Sequence, residues 1–371
     1  MADQLYRGLT TDGHEVVWIA GDSTPPPDPA GRSYAVGFRI SNFLENKTGL
    51  PLPVPTLAGL KRIRREVAGA DVVVLHDCLY LSNVAVFLFA RHRKLPILII
   101  QHVGSIEYEN AIPRLVMKLG NSIFTRPMLS RAEQVVFISE KTKDYFADLR
   151  FKSPPELVFN GVDTDLYRTV EVGEKRLALR KKYGLPEDAP VILFVGRFVE
   201  SKGLSILKQM VAARPQWIWA FAGRRGTHDP DSWGADNVRV FVELPDDDLA
   251  ELHRACDLFV LPSRTEAFPL VVQQALACGL PVVCMSDVLR SDSAIVPYIR
   301  GVPIYVGDDS RTAREFVLAI DDVLGSEARP TAEQLRTFAA SRYSWRRAVE
   351  RYCQILSRVT LQLTAHREST V

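Results

Sequence analysis

An α/β chain made of two consecutive parallel-sheet domains is predicted by three observations. Short runs rich in Val, Ile and Leu recur between helical stretches, and the same rhythm starts a second time after a loop-rich middle. The chain has 371 residues with 47% hydrophobic content, enough to bury a core in each of two domains of ordinary size.

The first set of runs is HEVVWIA at 14–20, ADVVVLH at 70–76, PILIIQH at 96–102 and QVVFIS at 134–139. The second is PVILFVG at 190–196, WIWAFAG at 217–223, VRVFVE at 238–243, DLFVLPS at 257–263 and PVVCMS at 281–286. Near-continuous apolar strands alternating with helices belong to parallel sheets covered on both faces. Helical patterns such as SILKQMVAA and DDLAELHRAC separate the strands, so each set is Rossmann-like. The N-terminal domain is placed at residues 1–165 and the C-terminal domain at 173–344, with the boundary between Asn160 and Val172. The closing pattern puts Val349, Tyr352, Cys353, Leu356 and Val359 on one helical face, so a helix over 345–362 must pack on something. One element is absent from the pattern. A doubly wound domain opens with a strand and a glycine-rich turn, but MADQLYRGLTTDGHEV reads as a helix leading into HEVVWIA. The N-terminal domain is therefore expected to lack its first strand and phosphate-side loop.

A net charge of +2 is too balanced for a nucleic-acid binder held by counterion release. Cys78, Cys256, Cys278, Cys284 and Cys353 are scattered, with no C-x-x-C pair and an odd total, which argues against a disulfide framework or a zinc site and for a reducing, cytoplasmic setting. No basic stretch leads into an apolar run at the N-terminus, so the mature chain is expected to start there. The apolar stretch from Cys78 to Ala90 is too short to span a bilayer and reads as a buried helix. Basic clusters at Lys61, Arg62, Arg64 and Arg65, and at Arg91, Arg93 and Lys94, can attract an anionic membrane surface or simply form solvated helix faces.

Ligands of open α/β sheets bind beyond the carboxyl ends of the strands, so the residues after each strand carry the chemistry. After PVILFVG, Gly196 lets the backbone turn while Arg197 and Lys202 place two cations five residues apart, which suits a diphosphate. Incidental surface cations are the plain alternative. After DLFVLPS, Glu266 stands at a strand-to-helix junction and Pro269 sits where a first helical turn tolerates it, leaving the amides of Phe268, Leu270 and their neighbours to face a phosphate. A helix-dipole partner is the plain reading of Glu266. Gln274 follows eight residues later, about two helical turns on. His102, ending a strand ahead of Val103 and Gly104, can donate to a sugar hydroxyl or shuttle a proton, and His76 has the same kind of place beside Asp77. His14, His92, His228, His253 and His366 show no constellation. The acidic triplets 163–165 and 229–231 read as turns, so no metal site is expected. P-loop, nucleophile-elbow and dinucleotide fingerprints are missing from the sequence.

Taken together, VGRFVESKG, LVFNGVDTDLYR, DLFVLPSRTEAFPLVVQQALACGLPVV and RYSWRRAVERY resemble the retaining glycosyltransferases of family 4 (glycosyl transferases group 1), whose GT-B fold sets two Rossmann-like domains across a cleft. The resemblance runs in register from about His14 to about Leu363. It implies that Arg197 and Lys202 hold a donor diphosphate, that Glu266 lies near the transferred sugar, and that amides from Phe268 to Leu270 contact phosphate. It further places His102 near donor sugar and acceptor, with the final helix crossing back onto the N-terminal domain. Three departures stand out. Gln274 replaces the glutamate that usually binds the ribose, DVLRSDSAIVPYIRG replaces a paired-glycine segment, and the opening strand with its glycine loop is missing.

The resemblance implies transfer of a sugar from a nucleotide diphosphate sugar to an acceptor hydroxyl with retention and without a metal or cofactor. The implied acceptor is a saccharide or lipid-linked saccharide in polysaccharide or glycolipid synthesis, in a cytoplasmic protein with peripheral contact at a membrane's inner face. Two other readings fit the same fold. Gln274 and the missing segment suit a weak or inactive relative that binds a nucleotide sugar or a partner glycosyltransferase, and an epimerase would release a changed nucleotide sugar with no acceptor present.

Overall fold

Alternation of two cores across one sheet organises the first part of the chain in the computed structural model, which describes residues 2–21, 32–41, 54–104, 111–170 and 176–368. Strands β1 (Val17–Gly21) and β2 (Tyr34–Phe38) pair in parallel, and β3 (Ile40–Ser41) pairs with β4 (Val54–Pro55) in antiparallel. Strands β5 (Val73–His76), β6 (Ile97–Gln101), β7 (Gln134–Phe137) and β8 (Glu156–Leu157) form a four-stranded parallel sheet in that order. Ile97 and Ile99 of β6 point into one core with the helices Leu57–Ala68 and Leu81–His92, while Leu98 and Ile100 point into another. This period of two, with every side chain of β6 buried, is what a parallel strand covered on both faces requires. HEVVWIA does not extend that sheet: among the described residues β1 bonds only to β2, a strand whose exposed Tyr34 and Gly37 hid it in the sequence.

The second core is closed by helices from the two ends of the chain. Leu5 and Leu9 of the helix Ala2–Thr11 meet Tyr352, Ile355, Leu356 and Val359 of the helix Trp345–Glu368 over Leu98, Ile100 and Val136. Accordingly, Met1–Asn160 and Trp345–Val371 form one unit, and Gly161–Ser344 forms the other. The division falls at 160/161 rather than at residue 165, because the Val162 N–H donates to the Tyr343 carbonyl at 2.6 Å and Val162 bridges Ser344, which ties the segment after Asn160 to the second unit. The sequence-based start of that domain, residue 173, lies outside the described residues.

In the second unit, β9 (Val191–Val195), β10 (Ile218–Gly223), β11 (Val238–Val242), β12 (Leu258–Leu261), β13 (Val282–Met285) and β14 (Arg300–Val302) form one parallel sheet in the order β11-β10-β9-β12-β13-β14. The chain runs outward from β9 to β11, then returns to the other side of β9 and runs outward again. Loops leaving β9 and β12 therefore diverge to opposite faces and leave a crevice at their carboxyl ends. At the amino ends the same two strands are locked: the Asp257 carboxylate accepts from the Val191 amide at 2.7 Å and pairs with Arg180 at 2.5 Å and Arg176 at 2.7 Å. Among the described residues no helix is long and apolar enough to cross a membrane.

Two glycines let the loops at the carboxyl ends pack. Gly223 has φ +148°, and a Cβ there would lie 1.9 Å from the Gly196 carbonyl oxygen; Gly203 has φ +78°, and a Cβ would lie 2.2 Å from the Pro262 carbonyl oxygen. Both obstacles are backbone, which no rotamer change can relieve. Gly223→Ala and Gly203→Ala are each expected to lower the free energy of unfolding by about 2–4 kcal/mol, read by urea denaturation. A loss below about 0.5 kcal/mol, the range of ordinary surface changes, would contradict the close approach.

Candidate active site

Strand β9 ends at Val195, and the Gly196 amide donates to the Ala222 carbonyl of β10 at 2.9 Å, so the chain stays registered through the turn. Phe198, fully buried, anchors the loop that follows. Arg197 just before it is exposed, and among the described residues no side-chain hydrogen bond or ion pair holds its guanidinium. A short 3-10 turn, Glu200–Lys202, then feeds through left-handed Gly203 into the helix Leu204–Ala213. Lys202 ends that turn with its Nζ 2.5 Å from Glu266 Oε1, both side chains largely covered. The sequence thus supplies the two residues from different loops, and the strand reversal brings them together.

Glu266 lies in the loop after β12, four residues before the helix Leu270–Ala277 begins. The two-helical-turn spacing from Glu266 to Gln274 expected from sequence is corrected here. Pro269 occupies the N-cap, at φ −73° and ψ 120°, so the helix begins at Leu270 and Glu266 lies outside it; the restriction a proline puts on the residue before it keeps Phe268 out of the helix. Among the described residues no side-chain hydrogen bond caps this helix at Pro269, and the Val272 amide donates to the Pro269 carbonyl at 3.1 Å. Phe268 is buried edge-on against Tyr343, with ring centroids 5.4 Å apart. Gln274 is half-buried on the helix; its neighbour Gln273 is wholly buried, with neither amide atom bonded among the described residues.

Sequence reasoning missed the charged frame behind these loops. Arg264 pairs with Glu200 at 2.6 Å and with Asp309 at 2.9 Å, and the Ser205 hydroxyl lies 2.7 Å from Glu200 and 2.6 Å from Asp309. Arg264 is legible as a cation next to the motif, but its partners lie 64 and 45 residues away. After β13, where DVLRSDSAIVPYIRG departs from the family's paired-glycine segment, Ser291 donates to the Ala267 carbonyl at 2.7 Å, and Asp292, with no exposed surface, holds Arg342 and Tyr343, each at 2.5 Å. That loop therefore braces the Glu266 loop and, through Tyr343, the ring of Phe268.

The first unit gathers polar groups at the carboxyl ends of β5 and β6. His76 Nδ1 lies 3.0 Å from His102 Nε2. Asp77, held in the left-handed region at φ 63°, accepts from the His102 amide at 2.9 Å and from Gln101 Nε2 at 3.1 Å. Asn83 donates to the carbonyls of His76 and Asp77, and Asn121, which opens a π-helical turn of the kind often found at functional sites, donates to the Gly104 carbonyl at 2.9 Å. Burial pushes His76 down to about 3, with the His102 ring adding to it, and pushes His102 down to about 4. Burial also pushes Asp77 up to about 6, against the opposing pull of the two amides it accepts from.

The acidic triplets serve as turns. Asp163 Oδ1 accepts from the Asp165 and Leu166 amides, and Asp229 caps a 3-10 turn while Arg225 pairs with both Asp229 and Asp231. A different trio, Asp12, His14 and Cys353, places three potential ligand atoms within 4.8 Å of one another at the surface, a grouping the sequence concealed because Cys353 is over 300 residues away.

A carboxyl whose folded pKa is raised stabilises the fold fully below its unfolded value, and that contribution is lost as pH rises through the folded value. For Asp77 the window is about pH 4 to 6. The two histidines work the other way: their stability is present above about 6.5 and is lost as pH falls through about 4 and about 3. Asp77→Asn keeps the accepting oxygen and removes the charge, so it should gain stability relative to the parent by about 1–3 kcal/mol as pH rises from 4 to 6, measured by urea denaturation across that range. A difference that stays constant with pH would refute the raised carboxyl.

Comparison with known proteins identifies the family and the fold. Residues 175–342 match the family "Glycosyl transferases group 1", and residues 1–166 match "Glycosyltransferase Family 4". The chain is 30% identical over 316 residues to D-inositol 3-phosphate glycosyltransferase 1 of Catenulispora acidiphila, covering 76% of this chain and 72% of that protein. It is 28% identical to the D-inositol 3-phosphate glycosyltransferase of Xylanimonas cellulosilytica, covering 93% and 86%. With the enzyme of that name from Thermobispora bispora it shares 30% identity over a shorter stretch, 56% of this chain and 53% of that one. Among solved structures, sucrose-phosphate synthase of Thermosynechococcus elongatus superposes with a TM-score of 0.69 at 19% identity, covering 98% of this chain and 92% of that chain. Anabaena HepE in complex with UDP and glucose superposes with a TM-score of 0.68 at 16% identity, covering 92% and 99%. With both halves of the chain matched and GT-B proteins as its structural neighbours, this chain belongs to glycosyltransferase family 4 and is a glycosyltransferase of the GT-B fold.

Proposed function

We propose that the chain transfers a sugar from a nucleotide diphosphate donor to an acceptor hydroxyl with retention of anomeric configuration, without a metal. The observation that carries this reading is the Lys202–Glu266 pair at the strand reversal, on the same loop as the exposed Arg197 five residues earlier. Lys202 has three N–H donors, so it can keep Glu266 and still donate to a phosphate oxygen. Arg197 adds a second cation, and the uncapped start of the helix Leu270–Ala277 adds backbone amides from Phe268 to Leu270 around Pro269. Lys202, held by Glu266, and Arg197 together stabilise the departing diphosphate, the role a metal would otherwise take. Gly196 lets the loop approach the donor, Glu266 touches the transferred sugar, and Gln274 bonds the ribose. His102 is the group of the first unit that meets a sugar hydroxyl.

The acceptor is a saccharide or lipid-linked saccharide in polysaccharide or glycolipid synthesis, in a cytoplasmic protein associating peripherally with a membrane. A second acceptor, a phosphorylated inositol, is favoured by the names of the relatives.

A transfer assay with UDP- and GDP-sugars, run with and without EDTA, tests the reading. Arg197→Ala and Lys202→Ala are each expected to lower kcat/KM about 100- to 1000-fold, with turnover of the parent unaffected by EDTA and the product anomer matching the donor by NMR. Undiminished turnover in both variants would remove the diphosphate assignment, and binding without turnover in the parent would favour an inactive relative. Gln274→Glu is expected to lower the donor KM several-fold, because a carboxylate accepts ribose hydroxyls more strongly than an amide; a KM that rises would place Gln274 away from the ribose.

A further inference from the structure

Two neutral imidazoles whose nitrogens face each other can bond only if one of the facing nitrogens carries a proton and the other does not. His76 presents Nδ1 and His102 presents Nε2, 3.0 Å apart, with the ring planes 15° from parallel and centroids 5.3 Å apart. Only two proton arrangements satisfy this contact. Either His76 Nδ1–H donates and His102 keeps its own proton on Nδ1, or His102 Nε2–H donates and His76 keeps its own on Nε2. In both arrangements the two rings carry the same tautomer.

The backbone under the rings is pinned, so the pair cannot easily part. His102 and Val103 donate their amides to Asp77 Oδ1 at 2.9 and 3.3 Å, and Gln101 Nε2 donates both to that oxygen and to the Val103 carbonyl at 2.7 Å. Asn83 Nδ2 donates to the His76 carbonyl at 2.7 Å. The left-handed backbone at Asp77, unfavourable for a residue with a Cβ, is what swings its carboxylate under the next strand. Fixed partners of this kind decide the tautomer of a working histidine.

We propose that His76 is a positioning residue for His102: the proton shared across the Nδ1–Nε2 contact couples the two tautomers, so that the tautomer His76 takes decides whether the remaining nitrogen of His102, Nδ1, donates to or accepts from a sugar hydroxyl. This rests on the reading of His102 as the group that meets the sugar.

The test begins with the free, 15N-labelled full chain, whose imidazole nitrogens report tautomers by long-range proton–nitrogen correlation at pH 7. The parent is expected to show the same tautomer at His76 and His102, and His76→Phe to turn His102 into a mixture. Opposite tautomers in the parent, or an unchanged His102 in His76→Phe, overturn the proposal. Kinetics complete it: His76→Phe should lower kcat about 10- to 100-fold with the donor KM unchanged, and His76→Gln, whose amide both donates and accepts, should recover part of the loss. If His102→Ala abolishes turnover while His76→Phe leaves kcat intact, the positioning role falls. If His102→Ala itself turns over normally, the reading of His102 falls instead, and the tautomer measurement still decides whether the two rings share a proton.

Discussion

The second unit depends on one topological constraint, the reversal of strand order between β9 and β12. Adjacent parallel strands whose following segments leave in opposite directions cannot have both loops close over the sheet, so polar groups at their ends stay accessible. Lys202 and Glu266 meet there, and the surrounding residues serve to hold that meeting. Gly203 and Gly223 admit backbone where a side chain would collide, Arg264 binds Glu200 to Asp309, and Ser291 fixes the carbonyl of Ala267. A half-buried Lys–Glu pair contributes little to stability once desolvation is counted. In the proposed transfer its value lies in holding a cation and a carboxylate in fixed positions before the donor arrives, which lowers the reorganisation needed to bind it.

Much of the fold was legible because its strands are buried on both faces. Runs such as VILFV and ILII have no polar face to confuse their period, and each became a central strand. The strands that escaped notice, Tyr34–Phe38, Ile40–Ser41, Val54–Pro55, Glu156–Leu157 and Arg300–Val302, are short or carry exposed residues, so no continuous apolar run marked them. At the helix after Glu266 the difference is small: Pro269 was expected in the first turn and is the N-cap, so Glu266 and Gln274 do not share the helix.

At the site, sequence supplied the residues that stand next to strand ends and missed those that hold them. That Arg197, Lys202 and Glu266 lie in the loops after β9 and β12 could be read from position alone. The Arg264–Glu200–Asp309 frame could not, since its members are joined only by the folded path of the chain. The His76–His102 contact lies between these cases. Both histidines were visible at strand ends, and β5 and β6 pair in parallel with His76 opposite Ile100, which sets the end of one strand two residues from the other. Taking the two runs as neighbouring strands would have suggested that the rings meet.

Asp257 makes the two ends of the second sheet unlike each other. At the amino ends of β9 and β12 its carboxylate is shared by a backbone amide and two arginines, so the lateral spacing of those strands is set far from any ligand. At the opposite ends the loops meet through side-chain pairs such as Lys202–Glu266 and Arg264–Glu200 as well as through backbone bonds such as that from the Arg264 amide to the Ser201 carbonyl. Those side-chain pairs can be exchanged while the strand spacing persists. Family members with dissimilar substrates would then be expected to diverge first at the carboxyl rim and to keep the anchored rim nearly constant, much as a hinge stays fixed while the door it carries is replaced.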